Sequence, residues 1–396
     1  MVERRKLTAC VTTAGANQKN QPVTKETEIA DKTERLQRML AAEDLGGVLI
    51  TSQHNFSWLT AGGSNGIDLT RESGAAAIFV RNDGKRYLLA NRIEMPRLLA
   101  EEVSAHDFEP IEFPWEEEKA IPNFLIQRAA SLTPNKKPLG SDLPMGTACK
   151  VVESVLAPCR YRLTTEEIER FRLLGRDAGQ AIGTLAKSVK PGQTEREILR
   201  GATDTLAASN IYTVVGLAAA DQRLQKLRHP LATELRWERA LMIVVCARRH
   251  GLIVSLTRIV YAGRMPSELE QKTIAAATVN ANLFAATRPG ATGAELYEVA
   301  ARAYAMAGFP GEERLHHQGG ACGYSTRDWV AHPKASETVK AQQAFAWNPS
   351  ITGTKTEETV IAFADRIETI TSSPDWPEIR INIQGHDYSL PGVLSV

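Results

Sequence analysis

One eight-residue device occurs twice in this chain. Lys190-Pro191-Gly192-Gln193-Thr194-Glu195-Arg196-Glu197 and Arg288-Pro289-Gly290-Ala291-Thr292-Gly293-Ala294-Glu295 both read (K/R)-P-G-x-T-x-x-E, with Pro289 lying 98 residues after Pro191. Each copy closes one helix and opens another. Proline cannot continue a helix, glycine supplies a turn, and Thr followed three residues on by Glu is a capping box that satisfies orphan amides. Thr164-Thr165-Glu166-Glu167 offers a third box, so a long helix is expected from Thr165 to about Lys190. Strand-like runs follow each copy, Val214–Ala218 and Leu241–Val245 after the first, Gln343–Trp347 and Thr359–Phe363 after the second. Pro-Gly with a capping box is also ordinary helix punctuation. Together with the matching strands, it predicts two similar halves forming one pseudo-symmetric domain, with a site at their seam.

The part before Leu163 reads differently. Asp31–Leu45 places Leu36, Met39, Leu40 and Leu45 near one helical face, and an apolar strand follows. Ala75–Val80 and Arg86–Ala90 are apolar runs joined through Asn82-Asp83-Gly84, whose positive-φ preference predicts a hairpin. A helix is expected near Arg92–Glu102 with Pro96 in its first turn, a strand at Lys137–Asp142, and a connector at Cys159-Arg160-Tyr161-Arg162. The fold class is therefore α/β (α+β), with a tail over residues 1–26, a small mixed domain over 27–162 and the repeated domain over 163–396.

Lys+Arg is 47 against Asp+Glu 46, a net charge of +1 that gives no global field for nucleic acid or a membrane surface. The longest apolar run, Ala240–Ala247, is far too short to span a bilayer, and the first residues lack a secretory apolar core. Five scattered cysteines without a C-x-x-C pair argue against a disulfide framework or a zinc-cysteine site, and a reducing cytoplasm fits them.

No G-x-G-x-x-G, P-loop, G-x-S-x-G or H-E-x-x-H motif is present. What remains is histidine-centred. His229-Pro230 sits in a charged loop where proline can hold an imidazole at a cleft mouth, although a loop histidine is more often simply solvated. His316-His317-Gln318-Gly319-Gly320-Ala321-Cys322-Gly323-Tyr324 pairs two imidazoles with small residues that could admit a ligand to the backbone. Asn348-Pro349 and Thr354–Thr359 form a third cluster, in which Glu357 and Glu358 should face opposite ways along a strand; a hairpin with a solvated charged tip is the plainer expectation. Arg248, Arg249, Arg258 and Arg327 would favour a carboxylate-bearing substrate wherever they line the cleft.

In order and spacing these landmarks resemble the creatinase, prolidase and methionine-aminopeptidase family over nearly the whole chain. They are the split near Leu163, His229-Pro230, Gly251–Arg258 (GLIVSLTR, similar to G-Y-x-x-D-x-T-R), His317 with Gly320, Asn348-Pro349 and Glu357-Glu358-Thr359. The resemblance implies a small N-terminal domain followed by a pseudo-two-fold "pita-bread" domain. Metal-dependent members hold two divalent ions on two Asp, one His and two Glu, and those places fall here on Val244, Ser255, His317, Asn348 and Glu357. Val cannot coordinate, and neutral Ser and Asn do not replace bridging carboxylates, so the family's metal centre is expected to be absent and no cofactor is expected.

Creatinase is the precedent for metal-free C–N cleavage in this family. Its catalytic histidine matches His229, and a substrate-binding arginine supplied by a partner's N-terminal domain matches Arg71, three residues before Gly74. The resulting expectation is a cytoplasmic, homodimeric, metal-independent hydrolase or lyase acting on a small polar metabolite. His229 would be the acid and base, His317 and Glu357 would orient the substrate, and Arg71, Asn348, Arg327, His316, Tyr324 and Arg258 would contact it. Thr257 and Asn348 stand where creatinase has carboxylates, so creatine is not the expected substrate. Two alternatives stay open: an inactive member that binds a ligand or protein through the same cleft, and a degenerate Xaa-Pro-type metallopeptidase recruiting Glu358 or His316.

Overall fold

The fold is taken from a computed structural model that describes residues 24–134 and 136–396. Most of the expected tail lies outside the described residues, but Thr24 already caps a helix, Lys25–Ala42, so ordered structure begins before residue 27. This helix, with a mixed sheet in the strand order 109–113, 86–91, 73–81, 47–52, 139–141, 150–151, makes the N-terminal unit. The 73–81/86–91 hairpin forms as expected, but only Gly84 in its loop takes positive φ. The proline-started helix is a single turn, Met95–Arg97, that widens into a π-helical turn, Leu98–Glu102.

All three capping boxes form. Thr164, Thr194 and Thr292 each accept from the amide three residues on, while Glu167, Glu197 and Glu295 each reach back to the cap amide. The helices they open are Thr165–Ser188, Glu195–Ala207 and Gly293–Met306. The repeat also holds in three dimensions. Gly192 and Gly290 share a left-handed backbone at φ +93 and +96, and their amides donate to Trp237 O and Val339 O at 2.8 and 3.0 Å. Thr194 bridges Arg236 as Thr292 bridges Thr338.

Each half therefore contains two helices and an antiparallel sheet. The first half carries strands 212–220, 240–249 and 252–261, joined on the outer side by 393–395; the second carries 319–322, 343–347 and 358–362, with short strands 329–330 and 367–369 at its edges. The sheets meet where Ser255 N donates to Thr359 Oγ1 at 2.8 Å, Thr359 Oγ1 returns a bond to Ser255 O at 2.9 Å, and Thr257 N donates to Glu357 O at 3.2 Å. Outward faces of both sheets are covered by the helices, so the functional residues fall on the inner face at this junction.

The expected connector at 159–162 is instead the end of a helix, Glu153–Tyr161. Its Arg160 is buried and ties the two units together, donating to Asp328 at 3.0 Å, Glu153 at 2.7 Å and Asn55 at 2.8 Å. Lys32, fully buried, pairs with Glu28 of its own helix at 2.6 Å and with Glu167 across the same boundary at 2.7 Å. Buried charge is tolerated only when paired in this way. Among the described residues Cys149, Cys159, Cys246 and Cys322 are free, and no helix is long and apolar enough to cross a membrane.

Candidate functional site

The inner face at the seam is built from the hairpin strands 240–249 and 252–261. Alternation puts Met242, Val244 and Cys246 on this face, opposite Ile259, Thr257 and Ser255 of the neighbouring strand. Val244 packs with Leu217, Met242 and Ile259 as an apolar floor, while Ser255 Oγ donates to Cys246 Sγ at 3.2 Å. Beside them, the 354–359 segment delivers its carboxylate. Far from being a solvated tip, it is buried from Thr354 to Thr359.

Its two glutamates diverge as strand geometry requires. Glu357 accepts from Thr257 Oγ1 at 2.7 Å, pairs with Lys355 Nζ at 2.8 Å and receives Arg327 Nη2 at 3.5 Å. Burial would raise its carboxyl pKa, but Lys355 and Arg327 outweigh burial and hold it below the usual value. Glu358 turns the other way, to Arg258 at 2.9 Å and to the Thr371 hydroxyl, and burial raises its pKa.

Above this floor three imidazoles converge. His316 Nε2 and His229 Nε2 lie 3.1 Å apart, so one ring donates to the other, and His316 stacks on His317 with ring centres 4.5 Å apart. Burial, reinforced by Lys355, lowers the pKa of His229 and brings His316 down to about 2; burial with Arg327 and Lys355 brings His317 to about 4. All three rings are neutral near pH 7. His229 Nδ1 makes no hydrogen bond among the described residues, and the buried Asn348 Oδ1, Thr356 Oγ1 and Arg327 Nε have none either. A buried polar atom left unpaired costs about 1–3 kcal/mol, which a bound polar group can recover.

The structure thus brings together His229, His316, His317, Arg327, Asn348 and Glu357, and separates three other expected residues from them. Tyr324 is buried against Lys32 and donates to Glu167 at 2.8 Å, so its hydroxyl serves the boundary between units. Arg258 is fully committed on the far face, to Glu358, Ser373 Oγ and Thr371 O, with Trp376 under its guanidinium at 5.6 Å. Arg71 lines a cavity of the N-terminal unit with Phe113 and Met145, outside the imidazole cluster of its own chain. The Gly319 backbone serves the sheet rather than a ligand: a Cβ there would stand 2.1 Å from Ala346 O.

One contributor was not anticipated. Lys355 is 6 % exposed and is the nearest cation to Glu357, at 2.8 Å; its only sequence signal was proximity to Glu357. Thr257, named from the sequence only as standing where creatinase has a carboxylate, fixes the second contact of Glu357.

The residues that the resemblance sets at the family's metal positions do not fit a dinuclear centre. Val244 lies in an apolar cluster, Ser255 is bonded to Cys246, and an ammonium and a guanidinium already flank the remaining carboxylate. Two cations beside a lone glutamate repel dications that would have no bridging carboxylates to hold them.

A search of curated protein sequences finds no match. Several solved structures are similar in fold: the prolidase from Pyrococcus horikoshii OT3 at 17 % identity, covering 87 % of this chain and 98 % of that one with TM-score 0.71; the dipeptidase PepE from Mycobacterium ulcerans at 15 %, covering 94 % and 99 % with TM-score 0.74; and the N-terminal domain of FACT complex subunit SPT16 from Cicer arietinum at 12 %, covering 87 % and 96 % with TM-score 0.64. The creatinase/prolidase N-terminal domain model matches residues 32–173 and the metallopeptidase family M24 model matches residues 169–372. With more than half of its length inside that second match, and the pseudo-two-fold pita-bread domain it implies, this chain belongs to family M24.

Proposed function

We propose that the protein is a hydrolase that cleaves a C–N bond of a small carboxylate-bearing molecule without the family's dinuclear metal centre. The observation that carries this reading is the gathering of three imidazoles, Lys355 and Arg327 round Glu357, and it is supported by the resemblance, which sets Val244, Ser255 and Asn348 where metal-dependent members have ligand carboxylates. His229, on an exposed loop with a free Nδ1, takes a proton from water as water attacks the carbon bearing nitrogen. The same imidazolium then delivers that proton to the departing nitrogen as the C–N bond breaks, which leaves His229 neutral for the next cycle. Proton transfer of this kind contributes roughly 10² to 10⁴-fold in rate.

Lys355 and Arg327 bring two positive charges against one from Glu357, and this imbalance favours an anionic substrate group. Asn348 Oδ1 offers an acceptor for a substrate N–H. Dipeptidases and prolidases among the similar folds act, by name, on peptides, so dipeptides belong in the panel with amides and amidines. A homodimer in which Arg71 reaches the partner's cleft is part of the proposal. The test is turnover of this panel by chelator-treated protein. Chelator-resistant release of an amine or ammonia is expected; activity that vanishes with chelation and returns with added metal would sink the reading.

A further inference from the structure

His229 comes from one loop and His316 and His317 from another, yet their nearest ligand nitrogens all lie within 4.8 Å of one another. Among the described residues no carboxylate or carbonyl accepts a hydrogen bond from any of the three rings, and their single hydrogen bond is the one between His229 and His316. The Nδ1 of buried His316 is without a partner. Apart from that one bond the three rings have no polar partner among the described residues, which is unusual for packing alone, and moving the shared proton to Nδ1 would leave both Nε2 lone pairs free for an ion.

We propose that His229, His316 and His317 form a mononuclear site for a borderline divalent transition metal, Zn²⁺ or Co²⁺, distinct from the carboxylate-built centre of the family. Bonds of about 2.0–2.1 Å in tetrahedral geometry set ligand nitrogens roughly 3.3 Å apart, and the His229–His316 pair stands at 3.1 Å. His229 and His317 are solvent-exposed, so His317 can turn the remaining distance and the ion can enter. An all-nitrogen set selects Zn²⁺, Co²⁺, Ni²⁺ or Cu²⁺ over Mg²⁺, Ca²⁺ or Mn²⁺, and three protein ligands leave a fourth position for water or an anion.

The surrounding charge sets the character of the site. Lys355 and Arg327 lie close enough to depress the histidine pKa values and Glu357 only partly offsets them, so they weaken the hold on a dication and favour an anion as fourth ligand. If His229 is the acid and base proposed above, an ion that claims its lone pair blocks turnover, and Zn²⁺ is then a reversible inhibitor. Only that consequence rests on the functional reading; the binding itself does not.

The experiment titrates chelator-stripped full-length protein with Co²⁺, following the visible absorption of four-coordinate cobalt, and counts bound Zn²⁺ by equilibrium dialysis. One ion per chain is expected. His229→Gln, His316→Ala and His317→Ala should each weaken binding at least about tenfold, the lower end of what loss of a mere supporting contact costs. Lys355→Met should tighten it. Circular dichroism checks each fold, and His229→Gln, at an exposed loop position, keeps the test open if the buried His316 variant fails to fold. The proposal is overturned by absence of stoichiometric binding, or by binding that survives His229→Gln and His317→Ala but is lost in Glu357→Gln. Because none of these readouts uses turnover, a protein that binds cobalt but is inert to the substrate panel in its metal-stripped state would reject the hydrolase reading and leave the metal site standing.

Discussion

At the scale of single residues, the difference between His229 and Lys355 explains what could be read in advance. His229 and His317 belong to a type with only eight copies in the chain, and with Glu357 they stand at spacings that resemble a known family's, so the resemblance rather than the local pattern singled them out. Lys355 sits in Gly353-Thr354-Lys355-Thr356-Glu357, a polar run with every mark of a solvated turn, and only the fold shows that run to be buried. Arg258 failed in the opposite direction: it neighbours the site in sequence, but strand alternation sends it to the far face. His229→Ala should lower turnover by roughly 10² to 10⁴-fold with an unchanged circular dichroism spectrum, since its ring is exposed; near-normal turnover would remove it from the mechanism. Arg327→Met should raise KM for a carboxylate substrate while leaving an amide-capped analogue little affected. Equal losses for both analogues would mean that Arg327 acts through Glu357 rather than on the substrate.

At the scale of elements, the three Thr/Glu boxes and the strands they precede were legible because capping is local chemistry. The helix that replaced the expected 159–162 connector was not, because Arg160 is buried through partners 168 and 105 residues away in sequence. The glycine run after His317 was misread for a related reason: close backbone approach was inferred correctly, but the partner is strand 343–347, which lies outside any local window. The paired boxes allow a sharp comparison. Thr194→Ala and Thr292→Ala remove equivalent cap hydrogen bonds in the two halves, and each should cost about 0.5–2 kcal/mol in urea denaturation. Similar costs would show the repeat to be energetic as well as geometric. A much larger cost at Thr194, which is 4 % exposed, would show that burial rather than capping dominates there.

At the scale of the whole molecule, the N-terminal unit is fastened to the repeated domain by charge placed where solvent does not reach. Glu28, on the first helix, meets Lys32 on its own helix and the Arg170 guanidinium on the long helix of the other unit, at 2.7 and 2.9 Å for the two Arg170 contacts. Burial alone would raise the Glu28 pKa, yet Arg170 and Lys32 overcome it and the net shift is downward from 4.5. The consequence for pH follows from which state binds the proton more readily. With its folded pKa depressed, Glu28 contributes stability that is fully present above the unfolded value near 4.5 and is lost as pH falls through the lower folded value. Thermal melts between pH 6 and pH 3 should therefore show wild-type stability declining below about pH 4.5 more steeply than that of Glu28→Gln, the two converging at the acid end. The variant should be the less stable of the two at pH 6, because Lys32 and Arg170 then keep their charge beside a neutral amide, and removing one member of a buried ionic cluster costs about 3–5 kcal/mol. Parallel curves would assign the acid sensitivity to other carboxylates and reduce Glu28 to a packing contact. A selective loss of slope would identify this buried cluster as the element that sets how firmly the N-terminal unit is held to the repeated domain.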